Sequence, residues 1–343
     1  MLVQDFQLTS AVLFKFTLLF LRYSGVALYS TRQLDDYTKV RKRDTNMSIH
    51  SQSNAYKKTA PRPMRTRFAP SPTGELHLGH AYSALTAWKA AGQSEELFCL
   101  RIDDLDHTRC RPAYTKRIED DLSWLGLQWA ETPLVQSLRL QRYAEALEKL
   151  KADKLLYPCY LTRREVNSLL SAPHDGSEQA SAPSTRGLLS QAEQHQREIN
   201  GHMAVWRLDC EAALARTGTL FWQDYAGTSH KVGIEQMPVD RGDVVLGRRD
   251  IAASYHLSVV LDDADSQVEL VVRGADLESS TPIHRLLQEL LDLPSPVYLH
   301  HPLVCDKNGK RLSKRDHDTS LTALRMTGFS PADVIAMMPD FIV

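Results

Sequence analysis

The stretch RFAPSPTGELHLGH, residues 67–80, constrains the fold of this chain more than any other segment. A short strand is predicted over 65–69, and a helix over 78–91, where apolar side chains recur every three or four residues. Between them lie two prolines and Gly74, which favour a tight turn. The stretch therefore predicts a strand, a stiff turn and a helix in immediate succession.

The same alternation continues along the chain. Residues 96–106 (ELFCLRIDDLD) read as a buried strand that ends in acidic residues, and 113–125 reads as a second amphipathic helix. A βαβα unit of this kind predicts an α/β fold in which helices cover a parallel sheet. Ligands then bind beyond the carboxyl ends of the strands, and the opening stretch lies at such an end.

The middle of the chain has a different pattern. Residues 171–186 read as a loop rich in Pro, Ser and Gly, and short strands that could pair antiparallel are predicted over 205–208, 219–225 and 244–246. The stretch SYHLSVVLDDA is then expected to be an apolar strand ending at Asp262 and Asp263, and a further strand and a helix follow. The middle segment therefore reads as an insertion into the parallel sheet.

Composition narrows the class of protein. The chain has 343 residues, and 43% of them are hydrophobic. Its net charge of −1 does not give it the overall positive charge that is typical of a nucleic-acid-binding protein. Five irregularly spaced cysteines argue against a disulfide framework. Residues 1–63 are expected to be a disordered or organelle-targeting leader, or to precede a later start at Met47 or Met64. The apolar run within residues 1–63 is too short for a membrane span. We therefore expect a cytoplasmic protein.

Two histidines stand where the first helix begins. A helix N-terminus attracts phosphate through its unpaired N–H groups, and His77 and His80 lie on the same side of the first turn. Gly79 between them would let a nucleotide approach the backbone. The alternative is that both are ordinary surface histidines near a helix cap.

A second cationic element lies near the end of the chain. The sequence GKRLSKR carries Lys310, Arg311, Lys314 and Arg315 around a glycine-containing loop. Such cations could stabilise charge that develops on a phosphate and a departing pyrophosphate, and a solvated charge run is the alternative. Together with the histidines, they favour a nucleotide site.

These motifs resemble those of a known family. HLGH and RLSKR are similar to the HIGH and KMSKS signatures of class I aminoacyl-tRNA synthetases, and LRIDDLD, SYHLSVVLDDA and VVRGADLESSTP resemble the glutamyl branch. The resemblance implies a Rossmann-type catalytic domain that uses ATP with Mg²⁺. It further implies that a glutamate carboxylate attacks the α-phosphate, which gives glutamyl-adenylate and pyrophosphate.

The resemblance also assigns site residues. It implies catalytic roles for His77, His80 and Lys314, with ATP bound by these three and by Gly79, Arg311 and Ser313. The glutamate pocket that it implies consists of Arg67, Ala69, Ser71, Asp103, Tyr255 and Arg273. Two guanidinium groups suit a substrate with two carboxylates.

Two positions depart from the family pattern. Asp103 stands where the family has a glutamate that holds the substrate ammonium. It could instead be structural, either paired with Arg101 or capping a turn beside Asp104 and Asp106. Of the usual zinc ligands only Cys159 remains, with Leu161 and Thr185 near two of the other positions, so no zinc is predicted and apolar packing is expected to hold the insertion. His300, His301 and His317 are expected to be ordinary histidines without a role in the site.

The length of the chain bears on which member it resembles. Only 28 residues follow Arg315, too few for an anticodon-binding region. The chain therefore looks like the shortened paralogues that activate glutamate without tRNA and transfer it to the queuosine base of tRNA(Asp). No protein partner and no membrane contact is implied. The alternatives are a truncated glutamyl-tRNA synthetase that charges the 3′ end, a nucleotidyltransferase, and a non-catalytic tRNA-binding protein.

The expected organisation follows from these assignments. It consists of the leader (1–63), a first half of the catalytic domain (64–154), an inserted α+β acceptor-type subdomain without zinc (155–240), the second half of the catalytic domain (241–300), and the cationic loop with a short, truncated helical tail (301–343).

Overall fold

The computed structural model describes residues 62–162, 164–166, 185–237, 243–248, 253–304 and 320–343. Within these ranges the chain forms ten strands, and all bounds follow here: β1 (Thr66–Phe68), β2 (Phe98–Ile102), β3 (Leu134–Val135), β4 (Leu156–Cys159), β5 (Val205–Leu208), β6 (Leu220–Gln223), β7 (Ser229–Val232), β8 (Val245–Gly247), β9 (Leu270–Gly274) and β10 (Val297–His301).

Nine α-helices lie in the same ranges: α1 (Leu78–Ala90), α2 (Pro112–Trp124), α3 (Leu140–Ala152), α4 (Gln191–Ile199), α5 (Cys210–Thr217), α6 (Tyr255–Asp265), α7 (Thr281–Leu290), α8 (Leu321–Met326) and α9 (Pro331–Ala336). Three short 3₁₀ helices cover Gln136–Leu138, Ile234–Gln236 and Ala275–Ser280. None of the helices in the described ranges is both long and apolar enough to span a bilayer.

A five-stranded sheet forms the centre of the structure. Its order is β10-β9-β1-β2-β3, and every neighbouring pair is parallel. Parallel neighbours need crossover connections, which α1 supplies between β1 and β2 and α7 between β9 and β10. The predicted α/β class is confirmed, and all five strands present their carboxyl ends at the same edge.

The segment between the two halves of this sheet builds separate antiparallel sheets. Strands β4, β5 and β8 form one, and β6 and β7 pair as a hairpin. The short antiparallel strands expected from the sequence are therefore present. Because β8 pairs with β5, the three-stranded sheet extends past residue 240, and the exact domain boundaries stay a prediction.

One sequence expectation is wrong. The stretch SYHLSVVLDDA is not a strand but helix α6, which begins after the N-cap Ser254, whose hydroxyl accepts from the Leu257 amide. Seven consecutive residues, 257–263, are buried, so the segment lacks the polar stripe of a surface helix. An unbroken apolar run cannot be assigned to helix or strand by periodicity, but its length of eleven residues favours a helix.

Two large apolar clusters form most of the core. One contains buried side chains of α1 and α2, such as Leu85 and Leu122, together with residues of the C-terminal helices. The other contains buried side chains of α6 and α7, such as Leu261 and Leu286, and continues into the antiparallel sheets. This packing fixes α1 and α6 beside the carboxyl edge of the parallel sheet.

Candidate active site

The two histidines at the start of α1 cap that helix. The Nδ1 atom of His77 accepts from the Gly79 amide at 3.1 Å, and the Nδ1 atom of His80 accepts from the His77 amide at 3.2 Å. The ring centroids lie 3.8 Å apart. Since each neutral ring uses Nδ1 as the acceptor, its proton is on Nε2. The turn therefore presents imidazole N–H donors at a helix N-terminus, which suits an anion.

Gly79 also leaves room for the ring of the capping residue His77. A Cβ atom at this position would lie 3.0 Å from Cε1 and 3.2 Å from Nδ1 of the His77 ring. Besides the approach of a nucleotide that the sequence indicates, a larger residue here would press on the His77 ring and require a shift of a few tenths of an ångström.

The carboxyl ends of the parallel strands meet this turn in one cavity of about 390 Å³. Four strands each contribute a residue to its lining: Arg67 from β1, Arg101 from β2, Arg273 from β9 and His301 from β10. All nine site residues predicted in the described ranges line the cavity: Arg67, Ala69, Ser71, His77, Gly79, His80, Asp103, Tyr255 and Arg273.

The remaining predicted residues, Arg311, Ser313 and Lys314, lie outside the described residues. The residues on either side of the 305–319 segment are described, and both sides reach the site. Val304 lines the cavity, and Ser320 forms a β-bridge with His77. Of the described residues that flank the cationic sequence, one therefore lies at the cavity and the other at the histidine turn.

Buried charges support the floor of the cavity. The carboxylate of Asp263 accepts from Nε of Arg67 at 2.9 Å and from Nη1 of Arg101, and Arg101 also donates from Nε to Asp103 at 2.7 Å. Burial would raise the pKa of Asp263, but the two guanidinium groups outweigh it and hold that pKa below its usual value. Asp263 is therefore ionised and partly neutralises Arg67.

Asp103 lies beside the cavity with its carboxylate paired to Arg101, the structural alternative considered for it. Burial raises the pKa of Asp103 to about 6, even though Arg101 acts in the opposite direction. A carboxylate with this pKa is largely ionised at neutral pH. It remains able to accept from an ammonium group placed in the cavity.

Three features of the site were not predicted from the sequence: the pairing of Arg101 with Asp263, the contact of His300 and the position of His301. Arg101 and Asp263 form its buried charge network, and the signal was a pair of adjacent acids in an apolar stretch. The expectation that His300 and His301 have no role in the site is wrong. The His301 side chain is buried and lines the cavity, and His300 contacts Arg273.

Among the described residues Cys159 has an apolar surrounding. Cys159 is buried with Leu161 and Val166 in an apolar cluster, and the Thr185 hydroxyl is hydrogen bonded to the Tyr157 hydroxyl at 2.7 Å. These residues do not provide a tetrahedral set of thiolate and imidazole ligands. Among the described residues no cluster of three or more His, Cys, Asp or Glu side chains could hold a metal ion.

Known proteins match this chain in sequence over most of its length. The family "tRNA synthetases class I (E and Q), catalytic domain" matches residues 63–339. A Glutamyl-Q tRNA(Asp) synthetase of Rhodobacter capsulatus is 43% identical over 274 residues, which cover 79% of this chain and 98% of the relative. A Glutamate--tRNA ligase of Synechococcus sp. (strain CC9605) is 35% identical over 280 residues, 80% of this chain and 57% of that one.

A solved structure gives the same comparison in three dimensions. The glutamate tRNA ligase of Elizabethkingia meningosepticum, in complex with its amino acid, is 26% identical and superimposes with a TM-score of 0.60. The match covers 78% of this chain and 54% of that one, so this chain spans about half the length of the solved protein.

Proposed function

The chain belongs to the class I tRNA synthetases of the glutamate and glutamine branch, a family of ligases, and from this premise we propose that it activates L-glutamate with ATP and transfers it to the queuosine base of tRNA(Asp). One observation carries the activation step. Nine residues from separate stretches of the chain converge on one cavity that combines a helix N-terminus with two guanidinium groups.

The proposed first step is formation of an acyl phosphate. A glutamate carboxylate oxygen attacks the α-phosphorus of ATP, the bond to the bridging oxygen of the β-phosphate breaks, and pyrophosphate leaves with that electron pair. The nucleophile is already ionised, so no general base is needed, and catalysis rests on positioning and charge stabilisation. Mg²⁺ would enter with the triphosphate and neutralise part of its charge.

The roles of the residues follow from what each can donate or accept. His77 and His80 offer N–H groups to phosphate oxygens beside the N-terminus of α1, and Gly79 keeps the backbone accessible. Arg67 and Arg273 suit the two carboxylates of glutamate, Asp103 suits its ammonium, and Tyr255 forms one wall.

The cationic segment completes the proposed ATP site. Arg311, Ser313 and Lys314 are proposed to contact the phosphates, with Lys314 acting on the departing pyrophosphate. This proposal is supported by the described residues that flank the segment, because Val304 lines the cavity and Ser320 forms a β-bridge with His77.

The acceptor is proposed from the relatives. Those called Glutamyl-Q tRNA(Asp) synthetase are 39–43% identical, whereas the Glutamate--tRNA ligases are 35% identical. The second candidate is charging of the 3′ end of tRNA(Glu), which the likeness to a solved glutamate tRNA ligase favours. Both candidates share glutamyl-adenylate as the intermediate.

Two assays test the proposal. Glutamate-dependent exchange of pyrophosphate into ATP should proceed without tRNA, and its absence would contradict the activation step. Radiolabelled glutamate should then enter total tRNA only from a strain that makes queuosine. Removal of the 3′-terminal adenosine from that tRNA should leave labelling intact. Loss of labelling after this removal would instead support charging of the 3′ end.

A further inference from the structure

The guanidinium group of Arg273 is held by three neutral side chains. Its Nη2 atom donates to the Thr281 hydroxyl at 2.7 Å, its Nη1 atom lies 3.0 Å from Nδ1 of His284, and its Nε atom donates to Nε2 of His300 at 3.3 Å. The ring of Tyr298 lies beneath it, with the centroid 5.3 Å from Cζ. Arg273 is only 5% exposed, so this surrounding determines where its remaining donors point.

The arginine fixes the protonation of both imidazoles. A guanidinium group has donors only, so each ring nitrogen that it contacts must carry a lone pair. His284 therefore accepts at Nδ1 and holds its proton on Nε2, from which it donates to Nδ1 of His256 at 3.2 Å. His300 accepts at Nε2, both from Arg273 and from the Thr281 hydroxyl at 3.1 Å. The hydrogen-bond network is consistent only if all of these imidazoles are neutral.

Burial, reinforced by the positive charge of Arg273, agrees with this requirement. It lowers the pKa of His256 to about 4 and that of His300 to about 3, and it holds the pKa of His284 well below its usual value. The rings are therefore neutral throughout the physiological range of pH.

The two arginines of the pocket differ in how their charge is balanced. Arg67 is paired with the carboxylate of Asp263, which it shares with Arg101. Among the described residues Arg273 has no carboxylate in ion-pairing contact, and its partners are a hydroxyl and two imidazoles. Its buried positive charge is therefore oriented by neutral side chains, without a described carboxylate in direct contact.

We propose that Thr281, His284 and His300 are positioning residues that hold the Arg273 guanidinium with its charge uncompensated, and that this gives the pocket its preference for a carboxylate over a carboxamide. The inference rests on the proposed function, because it takes glutamate as the ligand of the cavity. A carboxylate partner at any of these positions would orient Arg273 equally well but would cancel the charge that attracts the substrate.

Substitutions of His284 separate orientation from charge. His284→Asn places an amide oxygen at the position of Nδ1, His284→Leu removes the acceptor, and His284→Asp places a negative charge there. His284→Asn should keep glutamate affinity close to that of the wild type. His284→Leu and His284→Asp should each raise the KM for glutamate by about 10- to 100-fold, the range expected when a buried charged contact is lost or neutralised.

The charge effect has its own signature. Only His284→Asp should reduce the preference for glutamate over glutamine, by about the same 10- to 100-fold factor as the rise in the KM for glutamate. The value of kcat at saturating substrate should change less than KM. The matched control is His195→Asp on α4, whose side chain is 73% exposed and far along the chain from these residues. The control should leave the KM for glutamate and kcat unchanged. The KM for ATP should stay unchanged in every variant.

The readouts distinguish the inference from the proposed function. Wild-type protein that neither exchanges pyrophosphate with glutamate nor binds it by calorimetry would refute the proposed function. If the wild type is active, equal glutamate affinities for His284→Asn and His284→Asp, or for His284→Asn and His284→Leu, overturn the inference. Should the His284 variants not fold, Thr281→Ser and the isosteric Thr281→Val provide the same comparison, and equal affinities there overturn it as well.

Discussion

The carboxylate of Asp263 lies between two buried guanidinium groups, so we expect Asp263→Asn to be strongly destabilising. The Asp263 carboxylate accepts from Nε of Arg67 at 2.9 Å and from Nη1 of Arg101, and all three side chains are less than a tenth exposed. Removing one member of a buried ion pair costs about 3–5 kcal/mol, because the remaining charge is left without compensation.

The structure places the expected loss at the lower end of this range. Arg101 keeps Asp103 as a partner, and Arg67 keeps the Val272 carbonyl, to which its Nη1 atom donates at 2.9 Å. The Asn amide oxygen also still accepts one hydrogen bond. We therefore expect a loss of about 3 kcal/mol, which corresponds to a fall in Tm of roughly 6–12 °C for a domain of this size.

Urea and thermal unfolding of the complete chain would measure this loss. The matched control is Asp265→Asn, which removes a partly exposed partner of Arg139 and Arg142 and should cost at most about 1 kcal/mol. Because the pKa of Asp263 is lowered in the folded state, its contribution is present above the unfolded pKa and is lost as pH falls through the folded pKa. The difference between wild type and Asp263→Asn should therefore shrink under strongly acidic conditions. Equal losses for the two variants at neutral pH would refute the reasoning.

The remaining predictions concern the reaction. His80→Ala and Lys314→Ala should each lower the rate of adenylate formation by about 100- to 1,000-fold while changing glutamate binding less, and equal effects on both constants in pyrophosphate exchange would contradict these roles. Arg273→Ala should chiefly weaken glutamate binding by calorimetry, and an unchanged Kd would remove it from the pocket. The KM for glutamate should fall as pH rises from about 5 to about 7, because Asp103, with a pKa of about 6, becomes ionised and attracts the ammonium group. Asp103→Asn should flatten this profile, whereas a profile that stays steep in the variant would assign it to another group.

Local patterns were sufficient to predict most of the fold. The strand, turn and helix around residues 67–80 carry their own signals, since prolines and a glycine fix the turn and apolar periodicity fixes the helix. The parallel sheet followed from the alternation of these elements. The strong apolar run of α6 was misassigned because periodicity disappears when a helix is buried on every side.

The site was predictable only where motifs are contiguous. Each of the nine predicted residues in the described ranges lies in a short motif whose residue types announce anion binding or substrate contact. Arg101 and Asp263 also lie in such motifs, but the sequence does not show which residue pairs with which. Arg101 pairs with Asp263 across 162 positions, and Arg273 contacts His300 across 27. Pairings of this kind arise from tertiary packing, which one sequence does not display.

The misassigned helix also explains how the scaffold and the site are connected. In a helix, consecutive side chains point about 100° apart, so two adjacent acids of α6 contact different neighbours. Asp262 accepts from Tyr143 and Gln136 on the side of α3, whereas Asp263 accepts from arginines of the central sheet. These contacts fix the C-terminal half of α6 in two directions. Its first residue, Tyr255, which lies about 12 Å away along the helix axis, is thereby held at the wall of the cavity. Had the segment been a strand, the two acids would have pointed to opposite faces of a sheet and could not have fixed Tyr255 in this way.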